Sequence, residues 1–282
     1  MKKILIHAHI FYADMWEQVA SCISNVHENS DIYVTLVEKN EELQDRVLAR
    51  FPDAHIVVVE NVGFDVAPFA KILDTVELAD YSYIVKLHTK RNVKADERIL
   101  GVELGGSLWR EKLLSFISSR ESFVEALTLM EKKPDIGMVA DDDVIFGSFL
   151  TDLKTYYDIS EFLKKRGWRA CRYSYAAGTM FVARASCFRA FKGILQSMDF
   201  GTSENRSPQL AHVLERLFGY AVYASGMRIA STTPLSRRLM KGSTYQKAFR
   251  SILHYVFRKE ATADGKLIVR LMGLPIYRRI CG

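Results

Sequence analysis

Residues 55–90, HIVVVENVGFDVAPFAKILDTVELADYSYIVKLHTK, contain the pattern that decides the fold. The two ends, HIVVVE (55–60) and YSYIVKLH (81–88), are short apolar runs rich in β-branched or aromatic residues, and they predict strands. Between them, residues 66–77 have the apolar spacing of a helix, and Pro68 falls in the first turn, where proline is tolerated. A strand, a helix and a second strand at this spacing are typical of two parallel strands joined by a right-handed crossover.

The same alternation extends towards the N-terminus. KILIHAH (3–9) and DIYVTLV (31–37) are predicted strands, and residues 14–27 and 40–50 have helical spacing and length. The sequence therefore predicts an α/β, Rossmann-like domain with a mostly parallel central sheet. No GxGxxG follows the first strand, so the fingerprint of a dinucleotide-binding site is absent.

The second half of the chain is less regular. Its predicted helices are 108–119, 120–132, 186–197 and 207–219, and its predicted strands are DIGMVA (135–140), YAAGTMFVAR (175–184) and YAVYASGM (220–227). Loops are predicted at 90–107 and 141–156, and long loops in a compact domain are often functional. We expect one domain, 1–234, with halves 1–107 and 108–234, followed by a tail, 235–282.

Composition is typical of a globular protein, with 49% apolar and 26% charged residues in 282. No apolar run approaches the roughly 18 residues of a membrane span. The first residues resemble a signal peptide, but His7 and His9 interrupt the apolar run, so a first strand is the better prediction. The four scattered cysteines have no metal-ligand spacing and indicate reduced thiols in a cytoplasmic protein.

Positive charge is concentrated at the C-terminus. The whole chain has a formal charge of +6, whereas residues 237–282 contain eleven Lys/Arg and two Asp/Glu, a net of +9. Apolar residues between 235 and 259 form an approximate stripe among basic ones, which predicts a basic amphipathic helical tail. Such a tail either packs back on the domain or binds an anionic membrane surface, and we favour the membrane. No nucleic-acid fold signature is present, so we expect no nucleic-acid partner.

Polar side chains cluster where the predicted parallel strands end, which is where sheets of this class bind ligands. These residues are His7 and His9 at the first strand, Asn61, Gly63 and Asp65 after the third, and Lys86, His88, Thr89 and Lys90 at the fourth. Any one cluster has an ordinary structural explanation, but their convergence at one sheet edge favours a binding site.

Four potential cations fall within six residues: Lys86, His88, Lys90 and Arg91. They are either a solvated strand terminus or a diphosphate site, in which cations offset the charge that builds on a leaving nucleotide diphosphate. Asp65 also has two interpretations, because it can cap the following helix or lie at the edge of a nucleotide pocket. The residue pattern alone leaves both questions open.

The run Asp141-Asp142-Asp143 follows the predicted strand DIGMVA. Carboxylates at a strand end can hold Mg²⁺ or Mn²⁺ through hard oxygen ligands. The alternative is an acidic, solvated loop, and this is the interpretation that we favour.

Two further pairs lie in the second half. His212 and Glu215 are three residues apart on a helical pattern and therefore share a face. They form either a surface group with Arg216 or a base that deprotonates a substrate hydroxyl. Gly178 and Thr179 either permit tight packing or let a ligand approach the backbone closely.

An ordered set of motifs covers nearly all of residues 1–230. The motifs are HAHIFYADMWEQV (7–19), DIYVTLV (31–37), NVGFDVAPF (61–69), YSYIVKLHTKRN (81–92), SLWREKLL (107–114), IGMV (136–139), AAGTMFVAR (176–184) and AHVLERLFGY (211–220). In this order they resemble the rhamnan synthesis F family of bacterial polysaccharide-assembly glycosyltransferases. NVGFDVAPF followed by LHTK is the most distinctive part.

The resemblance implies a transferase that moves a hexose or deoxyhexose, such as rhamnose, from a nucleotide diphosphate sugar to a lipid-linked polysaccharide or lipopolysaccharide. It implies a cytoplasmic enzyme, peripheral on the inner face of the cell membrane, with a glycosyltransferase A-type fold. In that fold a metal-binding DxD occupies the position of LHTK. Protein cations can replace the metal there, so we expect no cofactor and no strict need for a divalent metal.

The resemblance also implies roles for individual residues. The implied donor-binding residues are His7, His9, Asn61, Gly63, Asp65, His88, Thr89, Lys90 and Arg110, and the residue pattern adds Lys86, Gly178 and Thr179. The candidate catalytic residues are Glu215, the preferred base, with His212 beside it and Glu204 as the second choice.

The chain departs from the family pattern in two places, SENRSPQ (203–209) before His212 and the Asp run at 141–143. The first departure leaves the base open and motivates an alternative function, a non-catalytic scaffold of a polysaccharide-assembly complex. The second keeps a weaker alternative, a metal-dependent hydrolase or phosphotransferase. Binding of nucleotide sugars and the effect of a chelator distinguish the three.

Overall fold

A computed structural model describes residues 3–26, 28–95, 98–99, 102–148, 153–169, 171–193, 208–233, 257–261, 266–271 and 274–280. The chain divides into two units. The first comprises Met1–Asn92 with Ser107–Thr233, and the second Val93–Gly106 with Pro234–Gly282.

Strands and helices alternate through the described residues of the first unit. The strands of the chain are β1 (Ile4–Ile10), β2 (Ser30–Leu36), β3 (His55–Val58), β4 (Tyr83–His88), β5 (Arg98–Ile99), β6 (Val102–Glu103), β7 (Ile136–Val139), β8 (Ile145–Gly147), β9 (Ser174–Ala176), β10 (Phe181–Arg184), β11 (Arg228–Ala230), β12 (Phe257–Ala261), β13 (Lys266–Leu271) and β14 (Leu274–Ile280). The α-helices are α1 (Trp16–Ser24), α2 (Glu41–Arg50), α3 (Val66–Thr75), α4 (Leu108–Leu114), α5 (Arg120–Lys132), α6 (Leu153–Lys165) and α7 (Pro208–Ala224). Short 3₁₀ helices cover Ala13–Met15, Leu78–Asp80, Ser115–Ile117, Asp142–Val144 and Ala185–Phe191.

The first unit is built on a seven-stranded sheet with the order β11-β7-β10-β4-β1-β2-β3. β1 is parallel to β2 and β4, β2 to β3, and β11 to β7, whereas β10 is antiparallel to both its neighbours. The predicted α/β class with a mostly parallel central sheet is therefore confirmed. Because His9 pairs with His88, the carboxyl ends of β1 and β4 meet at one edge.

The core lies on both faces of the central strands. All seven residues of β1 and all six of β4 are buried, which requires cover on each face. On one side four rings, Phe69, Phe181, Phe188 and Phe218, pack with centroids 5.4–6.2 Å apart. Five of these six contacts are edge-to-face and the Phe181–Phe188 pair is stacked, and both arrangements add to the free energy gained by burying each ring.

Two predictions for the second half are wrong. Residues 220–224 of the strand expected at 220–227 are the end of α7, residues 225–227 connect it onward, and the strand that follows is β11. An unbroken apolar run does not distinguish a buried helix from a buried strand, and Gly219 lets this helix pass close to β9. The strand expected at 175–184 is divided into β9 and β10 by a turn at Ala177–Met180.

Smaller differences concern helix and loop limits. The loop predicted at 141–156 contains a 3₁₀ helix, β8 and the first residues of α6, while 149–152 lie outside the described residues. The predicted loop at 90–107 contains β5 and β6. Of the helix expected at 186–197, residues 186–191 belong to a 3₁₀ helix, 192–193 form a turn, and 194–197 lie outside the described residues.

The tail prediction is wrong for the part that the structure describes. β12, β13 and β14 form an antiparallel three-stranded sheet, so residues 257–261, 266–271 and 274–280 are not helical. The sequences KLIVRL and LPIYRRI contain β-branched and aromatic residues that favour strands, and Pro275 is unsuited to a helix interior. Of the amphipathic stripe predicted between 235 and 259, residues 235–256 lie outside the described residues.

Two findings concern membrane spans and thiols. In the described ranges, every helix is too short or too polar to cross a membrane. Cys22, Cys171 and Cys187 are free thiols, as predicted, and Cys281 lies outside the described residues.

Candidate functional site

A buried ion pair lies near the carboxyl edge of the sheet. The ammonium of Lys86 is fully buried; it donates to the carboxylate of Asp65 and, over 2.8 Å, to the hydroxyl oxygen of Thr179. The Thr179 hydroxyl in turn donates to Asp65. These three residues, which we call the Lys86 triad, join β4, the start of α3 and the turn before β10.

Asp65 belongs to the triad and does not cap α3, because its side chain makes no capping hydrogen bond. Burial opposes ionisation of Asp65, but the charge that His88 acquires when it is protonated in acid, the charge of Lys86, and hydrogen bonds from Lys86 and Thr179 hold the pKa of the Asp65 carboxyl far below the usual range. Asp65 is therefore an anion that neutralises Lys86. By contrast, Asn40 does cap α2, since its side chain accepts from the Leu43 N–H.

The three histidines near this edge are buried and uncharged at neutral pH. His7 Nε2 and His9 Nδ1 each lie 3.0 Å from the hydroxyl oxygen of Thr35 on β2. Burial lowers the pKa of His7 well below its usual value and that of His9 to about 4. Burial also lowers the pKa of His88, whose Nε2 lies 2.8 Å from the Gly178 carbonyl oxygen. These rings supply hydrogen bonds and packing, and they bring no positive charge to a ligand.

Thr89 fixes the ends of β1 and β4 to each other. Its hydroxyl accepts from the N–H groups of Phe11 and Tyr12, each over 3.0 Å, and its own N–H donates to the carbonyl of His9. Next to this junction, the guanidinium of Arg91 lies 4.3 Å from the ring centre of Tyr12. The polar residues at the ends of β1 and β4 therefore lie close together, as predicted. Thr89 connects the two strands and has a structural role there.

The turn at Gly178–Thr179 lies between the triad and α7. Both residues have positive φ, 77° at Gly178 and 55° at Thr179. A Cβ on Gly178 would lie 2.6 Å from Leu113 and 2.9 Å from Trp109, so α4 packs directly on this glycine. The backbone N–H of Gly178 donates to Glu215 over 2.6 Å. Sequence reasoning offered tight packing or close ligand approach here, and the structure shows tight packing.

Gly178→Ala is expected to lower the free energy of unfolding by about 2–4 kcal/mol, from overpacking against α4 and the unfavourable positive φ together. Gly167→Ala is a matched control, because Gly167 also has a positive φ (68°) but nothing within 4 Å of the added Cβ. It should lose only about 1–2 kcal/mol. Urea denaturation of both variants measures the difference, and equal losses would show that the contact with α4 does not matter.

Glu215 and His212 come together on α7, as their spacing predicts. Glu215 Oε1 accepts from Gly178, and Oε2 accepts from Arg216 over 3.0 Å and lies 3.9 Å from His212 Nδ1. Burial alone would raise the pKa of Glu215, but the adjacent His212 imidazole, the charge of Arg216 and the Gly178 N–H keep it below the usual value. The Glu215 side chain is 17% exposed and that of His212 is 57% exposed. An ionised carboxylate and an accessible imidazole therefore stand side by side.

The remaining predicted residues are placed as follows. Lys90 is half-buried, and its carbonyl accepts from Arg110 over 3.3 Å. Asn61 is half-buried and Gly63 begins the turn into α3 with a φ of 63°. Glu204 lies outside the described residues.

Sequence reasoning missed Phe64. This residue has a φ of 52°, is 50% exposed, and has its ring centre 6.3 Å from that of His212. No sequence signal announces a positive φ at phenylalanine, because such a conformation is rare for bulky residues.

The Asp run is not the solvated loop that we favoured. Asp141 and Asp143 are buried, and their carboxylates lie 3.7 and 3.2 Å from the ammonium of Lys112. Ser115 also donates to Asp141 over 3.0 Å. Within the described part of the chain, no group of three His, Cys, Asp or Glu side chains is arranged to hold a metal ion. The buried carboxylates join α4 to the end of β7.

Comparisons with known proteins give the family. The model of a family described as rhamnan synthesis protein F matches residues 1–227, which include every described residue of the site. Uncharacterized protein WxcX of Xanthomonas campestris pv. campestris strain B100 is 24% identical over 230 residues, which are 79% of this chain and 32% of WxcX. WxcX of a second strain of that organism gives the same values. The chain thus spans about a third of the length of these curated relatives. Because the family model covers most of the chain, the chain belongs to the rhamnan synthesis protein F family.

Proposed function

We propose that this chain is a glycosyltransferase of the A-type fold that takes part in rhamnan or related polysaccharide synthesis. It transfers a hexose or deoxyhexose from a nucleotide diphosphate sugar to a lipid-linked polysaccharide or lipopolysaccharide. The observation that carries the proposal is the ionised, partly exposed Glu215 beside the accessible His212, next to the carboxyl edge of a mostly parallel sheet. Family membership supports it.

The structure changes the proposed way of holding the diphosphate. Lys86 is fully buried and already paired with Asp65, and His88 is neutral, so neither offers free positive charge. The positive charge that stabilises the leaving diphosphate therefore comes from Lys90 and from Arg110, whose guanidinium donates to the Lys90 carbonyl. The Lys86 triad has a positioning role, since it fixes the Gly178–Thr179 turn. In this proposal the protein needs no divalent metal.

Glu215 is the proposed base. In a single displacement, the acceptor oxygen bonds to the anomeric carbon as the bond from that carbon to the diphosphate oxygen breaks. The acceptor's proton passes to the Glu215 carboxylate, directly or through His212. The diphosphate leaves with the bonding electron pair, which positive side chains stabilise. Such a step inverts the anomeric centre.

A donor panel tests the proposal. Purified protein is titrated with nucleoside diphosphate sugars, including dTDP-rhamnose, by calorimetry, with Mg²⁺ and with EDTA in parallel. Binding of one donor, followed by release of nucleotide diphosphate when acceptor is added, is the expected result in both media. Turnover that requires Mg²⁺ would refute the metal-free site, and absence of binding across the panel would refute the glycosyltransferase.

A second candidate function is a non-catalytic scaffold of a polysaccharide-assembly complex. The observation in its favour is that both oxygens of Glu215 already accept hydrogen bonds, which lowers the basicity of the carboxylate. A scaffold binds no member of the donor panel. The same titration therefore separates the two candidates.

The net charge of +9 in residues 237–282 supports a further part of the proposal, contact with the anionic inner face of the cell membrane. Sedimentation with vesicles of phosphatidylglycerol is expected to carry the protein down, and neutral phosphatidylcholine vesicles should not. Added salt should release the protein, because the attraction is electrostatic. Equal partition with both lipids would contradict this contact.

A further inference from the structure

Phe64 is exposed to solvent, and its backbone conformation is unfavourable for a phenylalanine. Half of its surface is accessible, and its φ is 52°, in the left-handed region where bulky residues are rare. Because half of the ring is exposed, its burial does not offset the unfavourable energy of the positive φ. Residues held in this way concentrate at ligand-binding sites.

The turn around Phe64 is held firmly from both sides. The carbonyl of Gly63 accepts from the N–H groups of Val66 and Ala67, over 3.1 and 3.2 Å. The next residue, Asp65, is anchored by Lys86 and belongs to the triad. The Phe64 ring is therefore presented on a rigid support, which reduces the entropy lost when a ligand packs against it.

The ring of His212 faces Phe64 from α7. The two ring centres lie 6.3 Å apart with an interplanar angle of 41°, and the His212 side chain is 57% exposed. Glu215, one helical turn further on, is the proposed base and can accept a hydrogen bond from a hydroxyl. Two accessible rings thus stand beside an ionised carboxylate.

We propose that Phe64 and His212 form a stacking wall for one pyranose ring of the acceptor glycan. Aromatic faces carry partial negative charge and attract the C–H groups of a sugar face. A 6-deoxyhexose suits such a wall, because its C6 methyl adds apolar area where other hexoses carry a hydroxyl. The Glu215 carboxylate then accepts a hydrogen bond from a hydroxyl of the same sugar ring. This inference rests on the proposed function and assigns the acceptor side of the site.

Among the residues that the structure describes, the other exposed aromatic side chains, Phe11, Tyr156, Tyr157 and Tyr223, lack this combination. Tyr156 and Tyr157 are 51% and 67% exposed, but they lie within α6, on ordinary helical backbone. Tyr157 therefore provides a matched control for the loss of an exposed ring.

The test uses a rhamnose trisaccharide as the probe and the full chain. Saturation-transfer NMR identifies which sugar protons contact the protein, and a titration gives Kd. The C6 methyl protons of one residue are expected to receive most saturation in wild type. Phe64→Ala and Phe64→Gly should raise Kd about tenfold, Phe64→Trp should retain binding, and Tyr157→Ala should leave it unchanged.

Stability separates recognition from a structural role. Glycine adopts a positive φ freely, so Phe64→Gly should melt no lower than Phe64→Ala while it still loses binding. Wild type that does not bind the trisaccharide, or Phe64→Ala that binds as wild type, overturns the inference. Failure of the glycosyltransferase proposal is recognised separately, as trisaccharide binding that depends on Phe64 without any transfer from the donor panel.

Discussion

Asp65→Ala is expected to lower the free energy of unfolding by about 3–5 kcal/mol, because it leaves the fully buried ammonium of Lys86 without its counter-charge. Thr179 also loses the carboxylate to which its hydroxyl donates. The double variant Asp65→Ala/Lys86→Met should recover most of the loss, since it removes the unpaired charge as well. Guanidinium denaturation followed by circular dichroism measures each variant.

Glu161→Ala is the control for Asp65→Ala. Glu161 pairs with Lys165 over 2.7 Å, but both side chains are more than 60% exposed and the pair is screened by solvent, so the free energy of unfolding should hardly change. Acid provides a second check. The pKa of Asp65 is lower in the folded protein than in the unfolded chain, so the stabilisation is complete above about pH 4 and is lost as the pH falls further. In that acidic range, the difference in free energy of unfolding between wild type and Asp65→Ala should become smaller. If wild type and Asp65→Ala have nearly the same free energy of unfolding at neutral pH, the ion pair does not stabilise the fold.

Glu215→Gln is expected to lower kcat about 10²- to 10⁴-fold, the usual contribution of a general base. Glutamine is nearly isosteric and can still accept from the Gly178 N–H, but it cannot take the proton of the acceptor. Donor affinity should stay close to that of wild type, because the proposed role of the carboxylate is on the acceptor side. Initial rates with the donor found in the panel, together with calorimetric Kd values, separate the two effects.

Glu125→Gln on α5 is the matched control for that experiment, because it makes the same chemical change at an exposed position. Its rate should equal that of wild type. The melting temperature of Glu215→Gln must be compared as well, since Arg216 loses a charged partner. A stable Glu215→Gln enzyme with an unchanged rate would remove Glu215 as the base and leave His212 as the candidate.

The first half of the fold could be predicted because its signals are local. Short β-branched runs alternate with helical spacing, and each of the four expected strands is found with small shifts of its ends. The second half contains long apolar runs that fit either element. α7 continues through Ala224 because Tyr220 and Val222 are buried along the helix, which depends on the packing partner rather than on the pattern.

Residue types at the site could be predicted, but their charge states could not. Lys86 looks like a cation for a ligand until Asp65 is found beside it, twenty-one residues away in sequence. In the same way, burial in the sheet makes His88 neutral. The sequence of one strand shows which side chains lie along it. Whether a charged side chain is available to a ligand depends on the residues that other strands and turns place beside it.

The position of β10 has a consequence for how the protein is made. β10 lies between β4 and β7, and the turn before it completes the Lys86 triad. On the ribosome, β4 therefore emerges almost a hundred residues before its neighbour, with Lys86 unpaired on that side and its hydrogen-bonding edge open. Such distant pairings fold slowly and expose the chain to aggregation. The first half of the chain should consequently be prone to aggregation until residues 178–184 have been synthesised.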